Sequence, residues 1–298
     1  MKILLTGKNG QVGFELRRAL APLGEVHAVG AAECDLRDSP AIRGLVRDLQ
    51  PDVIVNPAAY TTVDKAESDR ENAEAVNAHA PAVLAEEAEK LGALLVHYST
   101  DYIFDGIKTG PYVESDPPNP QNVYGATKRA GEQAVQSRCG RHLILRTSWV
   151  VGAHGHNFAR TILRLAAERD RLRVVVDQIG APTSAAWLAD LTAHLLRQAV
   201  AEGDAFPFGL YHATNSGATS WHGYARHLVE RAQRAGYPLK ARPDGIEPIP
   251  TEAYPTPAKR PANSCLDTTR LEETFRLRCP PWQESLDHLL DRMLSHGD

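Results

Sequence analysis

Short apolar runs alternate with longer amphipathic stretches through the first half of the chain. The β-branched character of the short runs predicts strands, and apolar spacings of three and four in the longer stretches predict helices. The strand runs are KILLTG, EVHAV, DVIVNPAA, ALLVHYST and HLILRTSWV, and the helical stretches are QVGFELRRALAPLG, SPAIRGLVRDLQ, HAPAVLAEEAEKLG and NVYGATKRAGEQAVQSR. In the second helix we expect Ser39 as the N-cap and Pro40 at the first position. This alternation predicts an α/β fold with a Rossmann-type doubly wound parallel sheet.

The pattern becomes less regular after about residue 150. NFARTILRLAAERD, AAWLADLTAHLLRQAV and WHGYARHLVERAQRAG predict helices, and LRVVVD predicts a strand. The proline-dense stretch IEPIPTEAYPTPAKRPANS is unsuited to a central strand or a helix interior, so we predict an ordered loop that closes over the sheet ends. We therefore predict an NAD(P)-binding Rossmann domain at residues 1–150. Residues 151–298 are predicted to form mainly a smaller C-terminal substrate-binding lobe, with some segments returning to the sheet.

The composition excludes several classes of partner. The 298 residues carry a formal net charge of −4 without a basic run, so we expect no nucleic-acid partner and no membrane partner. The apolar run at the N-terminus is too short for a secretory signal, and no stretch approaches the length of a membrane span. The four cysteines are far apart, which favours reduced thiols in a cytoplasmic protein over a cysteine-bound metal.

A glycine-rich turn follows the first strand and opens a helix. Glycines at positions 7, 10 and 13 give the spacing G-x-x-G-x-x-G. Glycine lets the backbone approach a pyrophosphate, and the free N–H groups of a helix N-terminus favour an anion. A tight turn with close helix packing is the structural alternative, but the strand–turn–helix context favours dinucleotide binding. The predicted cofactor residues of this turn are Gly7, Lys8, Asn9, Gly10, Gln11 and Val12.

The end of the second strand bears on the choice of cofactor. NAD sites usually place a carboxylate there for the ribose 2′-hydroxyl, but the first carboxylate here is Glu33. Lys8 in the glycine turn suits a 2′-phosphate, which favours NADPH, with NADH as the alternative. Asp35 and Leu36 lie where an adenine contact is expected, and a helix-capping role is the alternative for Asp35.

Hydroxyl and carboxyl groups follow the fourth strand, at the edge where doubly wound sheets bind ligands. Ser99, Thr100 and Asp101 occupy this position, and we expect their side chains to project into the crevice. Tyr124 and Lys128 stand four residues apart on the next predicted helix, so they share one face. A surface tyrosine beside a surface lysine is the alternative, and the spacing alone does not decide between them.

An electrostatic argument supports a catalytic role for this pair. A tyrosine has a pKa of about 10, and bringing it near neutrality needs roughly 4 kcal/mol of preference for the phenolate. One ammonium about 4 Å away at an effective dielectric near 20 supplies about that much. We therefore predict that Lys128 lowers the pKa of Tyr124 and that Tyr124 transfers a proton.

Several segments together resemble a known family. In order along the chain these are TGKNGQVG, NPAAYTTVDKAES, AVNAHA, STDYIFDG, NPQNVYGATK, RTSWV, NFA, DQIGAPTS and KRPANS. From Lys2 to about Trp282 the chain resembles the dTDP-4-dehydrorhamnose reductases, which are extended short-chain dehydrogenase/reductases. The glycine turn and Y-x-x-x-K mark the superfamily, whereas STDYIFDG, DQIGAPTS and RPANS mark the family.

The resemblance implies a reaction and roles for individual residues. The reaction is reduction of the C4 ketone of dTDP-4-dehydro-L-rhamnose to dTDP-L-rhamnose, the last step in making that sugar donor. Tyr124 is expected to protonate the new alkoxide, Lys128 to tune it, and Thr100 to hydrogen-bond the substrate oxygen. The further cofactor residues implied are Ala58, Ala59, Tyr60, Asn77 and Ser99, beside Tyr124 and Lys128. The substrate residues implied are Thr100, Asp101, Tyr102, Trp149, Asn157, Arg260 and Asn263.

Structural roles remain open for part of this substrate set. Trp149 is expected to form an aromatic wall of the sugar site, and the alternative is a tryptophan of the core or of an interface. Arg260 suits a diphosphate because a guanidinium binds such groups with two parallel hydrogen bonds. Hydrogen bonding within the loop is the alternative for Arg260 and for Asn263.

No metal is expected. Some members of the family are thought to dimerise through Mg²⁺ held by three carboxylates, and only Glu15 matches, because the other two positions match Ala186 and Arg292. We therefore expect a monomer or weak homodimer without a metal bridge. His154 and His156 are read as a solvated loop instead of a metal site.

Two other functions share these features. A nucleotide-sugar epimerase or dehydratase has the same fold, tyrosine and lysine. Dehydratases carry T-D-E at the strand end, whereas this chain has Thr100, Asp101 and Tyr102 and so lacks the second acid. A non-catalytic dinucleotide-binding regulatory subunit is the other alternative, against which the intact Thr100, Tyr124 and Lys128 argue.

Overall fold

The secondary structure elements of the computed structural model are as follows, for residues 1–294, which are the residues that the structure describes. The strands are β1 (Lys2–Leu5), β2 (Glu25–Ala28), β3 (Val53–Asn56), β4 (Leu94–Thr100), β5 (His142–Thr147), β6 (Val150–Val151), β7 (Leu172–Val175), β8 (Ile179–Gly180), β9 (Thr183–Ser184), β10 (Gly209–His212), β11 (Thr219–Ser220) and β12 (Ile246–Ile249). The helices are α1 (Gln11–Leu20), α2 (Ser39–Leu49), α3 (Val63–Ala66), α4 (Arg70–Glu74), α5 (Ala80–Leu91), α6 (Val123–Arg138), α7 (Phe158–Glu168), α8 (Ala185–Glu202), α9 (Trp221–Arg234), α10 (Thr269–Phe275) and α11 (Trp282–Leu294). A π-helical turn, Ala75–His79, joins α4 to α5.

A parallel sheet in the strand order β10-β5-β4-β3-β1-β2 forms the centre of the molecule. Side chains alternate between its faces, so Ile3 and Leu5 enter one core while Leu4 enters the other. Helices α1, α8 and α10 cover the first face, and α2, α5 and α6 cover the second. Because the chain runs outward from β1 in both directions, the strand order reverses between β1 and β3, where such sheets bind ligands. The predicted α/β class and doubly wound sheet are confirmed.

The second half of the chain divides between the sheet and a smaller lobe. Strand β10 pairs with β5, and α8 packs against α1, so both segments belong to the sheet body. The lobe has its own core from α7, α9 and α11 with the two-stranded ribbon of β7 and β12, and Tyr224 and Trp282 are buried in it. Residues 295–298 of the predicted lobe lie outside the described part of the chain.

Two local predictions were wrong. The N-cap of α2 is Asp38, whose side chain accepts a hydrogen bond from the backbone N–H of Ala41 at 3.0 Å, and Ser39 is already helical. The proline-dense stretch is not loop throughout, because Ile246–Ile249 pairs in parallel with Leu172–Val175. Pro248 is tolerated because each strand of a two-stranded ribbon has an edge without a partner strand. Across residues 1–294, no helix is both long enough and apolar enough to cross a membrane.

Candidate active site

The glycine turn lies against the first turn of α1 and against the segment after β3. Gly7 has φ of +60°, which favours glycine, and a Cβ there would come within 2.9 Å of Ala58. A Cβ on Gly13 would lie 2.0 Å from the carbonyl oxygen of Gly7. The turn therefore packs more closely than any side chain allows, and it presents backbone at the N-terminus of α1, where an anion is favoured. These residues fit a dinucleotide pyrophosphate.

Gln11 and Asn157 connect the glycine turn to the lobe. The side-chain oxygen of Gln11 accepts hydrogen bonds from the backbone N–H of Gly152 at 2.8 Å and from the side-chain amide of Asn157 at 2.9 Å. Its amide donates to the carbonyl oxygen of Val150 at 3.3 Å. Asn157 also caps α7 through Arg160 N–H. Both side chains are therefore engaged within the protein, which leaves the backbone of Gln11 for a cofactor.

Acidic and basic side chains pair beside the expected adenosine end. Lys8 Nζ lies 2.7 Å from Glu33 Oε1, and Glu33 Oε2 accepts from Gly30 N–H at 2.8 Å. The hydrogen bond from Lys8 is the main cause that lowers the pKa of Glu33. Asp35 binds Arg37 at 2.6 Å and does not cap a helix. The capping alternative for Asp35 was therefore wrong, and its place near a cofactor stays a prediction.

Asn77, in the π-helical turn, ties the segment after β3 to helix α6. Its amide accepts from Tyr60 N–H at 2.8 Å and donates to the Tyr60 carbonyl oxygen and the Thr127 hydroxyl, both at 3.1 Å. Residues 58–60 are thereby held beside the glycine turn. The cofactor contacts predicted for Ala58, Ala59, Tyr60 and Asn77 stay predictions.

The end of β4 and the first turn of α6 come together, as the sequence predicted. The Thr100 hydroxyl donates to Asp101 Oδ1 at 3.0 Å and also lies at the Tyr124 phenol. The ring of Tyr102 packs edge-on against Tyr124, with 5.5 Å between the ring centroids. Ser99 differs from Thr100, because it is buried with its hydroxyl beside the carboxylate of Glu132. The expectation that Ser99 projects into the crevice was wrong, since successive side chains of a strand point to opposite faces.

The charge states of these groups differ from the simple electrostatic prediction. Burial raises the pKa of Tyr124 to about 12, which the hydrogen bond between Tyr124 and Thr100 opposes and the charge of Asp101 reinforces. Burial lowers the pKa of Lys128 to about 8, which the charge of Glu132 opposes. Lys128 Nζ donates to the carbonyl oxygen of Tyr98 at 2.5 Å. The predicted lowering of the Tyr124 pKa was therefore wrong for this structure, because burial of the phenol dominates the shift.

Asp101 is a buried carboxyl group at the same edge. Burial raises its pKa to about 6, and hydrogen bonds from Ser264 and Thr100 oppose that rise. Burial and the charge of Asp101 also raise the pKa of Tyr102. The sequence placed both residues here. Ser264 belongs to the RPANS segment that marks the family, but the sequence did not predict its contact with Asp101.

The other predicted substrate residues lie on the lobe side and are held by protein contacts. Trp149 has φ of +46° and stacks on Trp221, with 3.6 Å between the ring centroids. A Cβ on Gly180 would lie 2.7 Å from the Trp149 indole. Arg260 forms a two-bonded ion pair with Asp64. The Asn263 amide donates to two loop carbonyl oxygens, of Lys108 at 2.8 Å and Gly110 at 2.7 Å.

Glu15 lies away from this edge, in a set of ion pairs. It is buried, and it pairs with Arg18 at 3.6 Å and with Arg292 at 3.5 Å. Within residues 1–294, no group of three or more histidine, cysteine, aspartate or glutamate side chains is placed to hold a metal ion. His154 and His156 are exposed, and the ring of His154 lies 3.8 Å from that of Phe14, centroid to centroid.

Comparison with known proteins agrees with this arrangement. The family model described as RmlD substrate binding domain matches residues 1–295. A Burkholderia thailandensis protein named dTDP-4-dehydrorhamnose reductase is 50% identical, over 99% of this chain and 100% of that protein. The protein of that name from Escherichia coli K12 is 48% identical over 99% of each chain. The crystal structure of the Bacillus anthracis dTDP-4-dehydrorhamnose reductase in complex with NADP has a TM-score of 0.89 and 34% identity, covering 98% of this chain and 99% of that one.

Proposed function

The chain belongs to the RmlD substrate binding domain family, and on that premise we propose that it is an NAD(P)H-dependent dTDP-4-dehydrorhamnose reductase. It reduces the C4 ketone of dTDP-4-dehydro-L-rhamnose and releases dTDP-L-rhamnose, the final step of dTDP-rhamnose formation. The observation that carries the proposal is the hydrogen bond between Thr100 and Tyr124 at the carboxyl end of β4, with the buried Lys128 bound to a carbonyl oxygen of the same strand.

Thr100 and Tyr124 act on the ketone oxygen. Both hydroxyls lie at the carboxyl end of β4, where they can donate to one carbonyl oxygen and stabilise the negative charge that develops on it. When bound, NADPH supplies the hydride. Tyr124 then transfers its proton to the alkoxide, and a proton from solvent restores the phenol. Because the pKa of Tyr124 is about 12, the phenol is fully protonated at neutral pH, as a reaction that consumes its proton requires.

Lys128 provides the positive charge of the site. Its ammonium is anchored on the carbonyl oxygen of Tyr98, on the strand that ends in Thr100. From there it stabilises the phenolate formed when Tyr124 gives up its proton, and with Tyr124 it would hold the nicotinamide ribose. The pKa of about 8 keeps most of the ammonium charged at neutral pH.

We propose NADPH as the preferred cofactor and accept NADH as the second. Lys8 is the basic group that suits a 2′-phosphate, and its pairing with Glu33 makes the preference modest, because the phosphate competes with a carboxylate already in place. The proposed lining of the sugar site consists of Asp101, Tyr102 and Trp149. Arg260 and Asn263 frame the loop that faces the diphosphate. We further propose a monomer or weak homodimer without a metal bridge.

Turnover with the nucleotide sugar tests the proposal. Wild-type protein should consume NADPH, followed by its absorbance, only when dTDP-4-dehydro-L-rhamnose is generated in situ. Tyr124→Phe should bind NADPH normally, measured by nucleotide fluorescence, and lose about 10²–10⁴-fold in turnover because the proton donor is absent. Tyr237→Phe is the matched control, since Tyr237 packs against the lobe core.

Two outcomes would overturn the assignment. Full turnover by Tyr124→Phe would remove Tyr124 from the mechanism. Wild-type protein that binds NADPH but never oxidises it with this sugar would favour the non-catalytic alternative.

A further inference from the structure

A short loop of the lobe reaches across to the sheet body beside the candidate active site. It comprises residues 258–260, which we term the crossing segment. Arg260 Nη1 and Nη2 donate to Oδ1 and Oδ2 of Asp64 at 2.6 and 2.8 Å, so two parallel hydrogen bonds join the side chains. Asp64 Oδ1 also accepts from the backbone N–H of Ala258 at 3.1 Å. One carboxylate of helix α3 thus holds both ends of the crossing segment.

The middle of the crossing segment is bound to the start of the helix that carries Tyr124. Asn122 caps α6 by accepting from Gly125 N–H at 2.8 Å. Its amide nitrogen donates to the carbonyl oxygen of Lys259, also at 2.8 Å. The crossing segment is therefore attached to α3 on one side and to the first turn of α6 on the other.

The guanidinium of Arg260 is already used by the protein. Nη1 donates to Asp64 and to the carbonyl oxygen of Ala258, and Nη2 donates to Asp64. The Nη1/Nη2 edge, one of those with which a guanidinium can bind a phosphate by two parallel bonds, is therefore occupied by a carboxylate. The Arg260 side chain is 20% exposed and that of Asp64 is 40% exposed, so water screens this pair only in part.

We propose that Asp64 is a positioning residue, which acts through Arg260 to hold the crossing segment against α3 and α6 and so fixes the wall that faces the nucleotide sugar. This inference rests on the proposed function, because the wall matters only if a nucleotide sugar binds there. Asp64 does not take part in proton transfer. Its loss loosens the substrate side and leaves the Thr100–Tyr124–Lys128 arrangement intact.

Steady-state kinetics of Asp64→Asn separate positioning from chemistry. The amide is isosteric but uncharged, and it keeps only one oxygen for the guanidinium. KM for the nucleotide sugar should rise about five- to tenfold, as expected for a partly screened ion pair with two hydrogen bonds, while kcat changes less than about twofold. The Kd for NADPH should be unchanged. Glu74→Gln is the matched control, because Glu74 is 44% exposed and its ion pair among residues 1–294 is with Arg70 of the same helix.

A double-mutant comparison tests whether Asp64 acts through Arg260. If it does, Arg260→Gln should raise KM by itself, and adding Asp64→Asn should raise it no further. Multiplication of the two increases in the double mutant would show independent roles and overturn the proposal. Equal KM values for wild type and Asp64→Asn would overturn it as well.

Hydrogen exchange distinguishes failure of this inference from failure of the proposed function. With dTDP and NADPH present, amides of residues 255–263 should exchange faster in Asp64→Asn than in wild type, and those of Glu74→Gln should match wild type. Faster exchange with no turnover by wild type would refute the proposed reaction and support the attachment. Unchanged exchange would overturn the attachment whatever the turnover.

Discussion

Asp101 and Glu132 are both buried carboxyl groups at helix α6, but their surroundings differ. Glu132 accepts two hydrogen bonds from Arg146, at 2.7 and 2.8 Å, and one from Arg129 at 2.9 Å. Burial raises the pKa of Glu132, but these cations lower it more, so the pKa lies below its usual value. Asp101 is bound by hydroxyls instead of cations, and burial raises its pKa to about 6.

The difference separates a buried charge that cations neutralise from buried charges that lack an opposite charge in direct contact. The charge of Glu132 is neutralised by cations, whereas Asp101 is hydrogen-bonded by hydroxyls and backbone N–H groups and Lys128 by the Tyr98 carbonyl oxygen. Incompletely compensated charge lowers stability, and a ligand can supply the missing compensation. Removing a charge should therefore have opposite effects on stability in the two surroundings.

Replacing Glu132 should have the largest effect on the free energy of unfolding. Glu132→Gln leaves the buried guanidinium of Arg146 without a counter-charge, which should lower the free energy of unfolding by about 3–5 kcal/mol. Urea denaturation at pH 7 measures the change. A loss below about 1 kcal/mol would mean that the pair is not a structural anchor.

Replacing Lys128 should raise the free energy of unfolding, whereas replacing Glu132 should lower it. Lys128→Met removes a buried ammonium whose pKa is lowered from 10.5 to about 8, so the free energy of unfolding at pH 7 should rise by up to about 3 kcal/mol. Turnover should fall about 10²-fold or more, since the phenolate of Tyr124 loses its stabilising charge.

The sign of the Lys128 effect can be checked against pH. Below pH 8 both the folded and unfolded states carry the charge, so the variant keeps its full advantage. As pH rises from about 8 towards 10.5, folded wild type loses its proton first, and the advantage should disappear. A variant that is less stable than wild type at pH 7 would contradict the comparison.

Replacing Asp101 should change the free energy of unfolding least, and the change should depend on pH over a different range. Asp101→Asn keeps an oxygen for the Thr100 hydroxyl and removes the charge, so at pH 7 it should be about 1–2 kcal/mol more stable than wild type. Below pH 3.8 the carboxyl is protonated in both states of wild type, and the two proteins should be equally stable. The gap should open as pH rises from 3.8 through about 6, because charging Asp101 then costs wild type stability. Thermal unfolding at pH 4 and pH 7 tests this window.

The sequence was sufficient for the sheet, the glycine turn and the meeting of Thr100 with Tyr124, because strand alternation and doubly wound topology place these groups at one edge. The sequence did not predict side-chain contacts between residues that are far apart along the chain. Asp64 and Arg260 are separated by 196 positions, and Gln11 and Asn157 by 146, so no local pattern reveals either contact. The predicted lowering of the Tyr124 pKa failed for a related reason. It counted one nearby ammonium and omitted desolvation, which depends on the whole packed environment.

Because of the π-helical turn at Ala75–His79, the position of Asn77 depends on the number of residues in this turn. Such a turn contains one residue more than an α-helical turn. Deleting Ala78 or His79 would let the helix revert to regular α geometry and rotate Asn77 relative to α5 by about 100°. The amide would then leave Tyr60 and Thr127, although every hydrophobic residue of α5 could still reach its core. Either single-residue deletion should thus yield a folded protein in which Asn77 no longer holds Tyr60 and Thr127, whereas substituting Ala78 or His79 would leave the length of the turn unchanged.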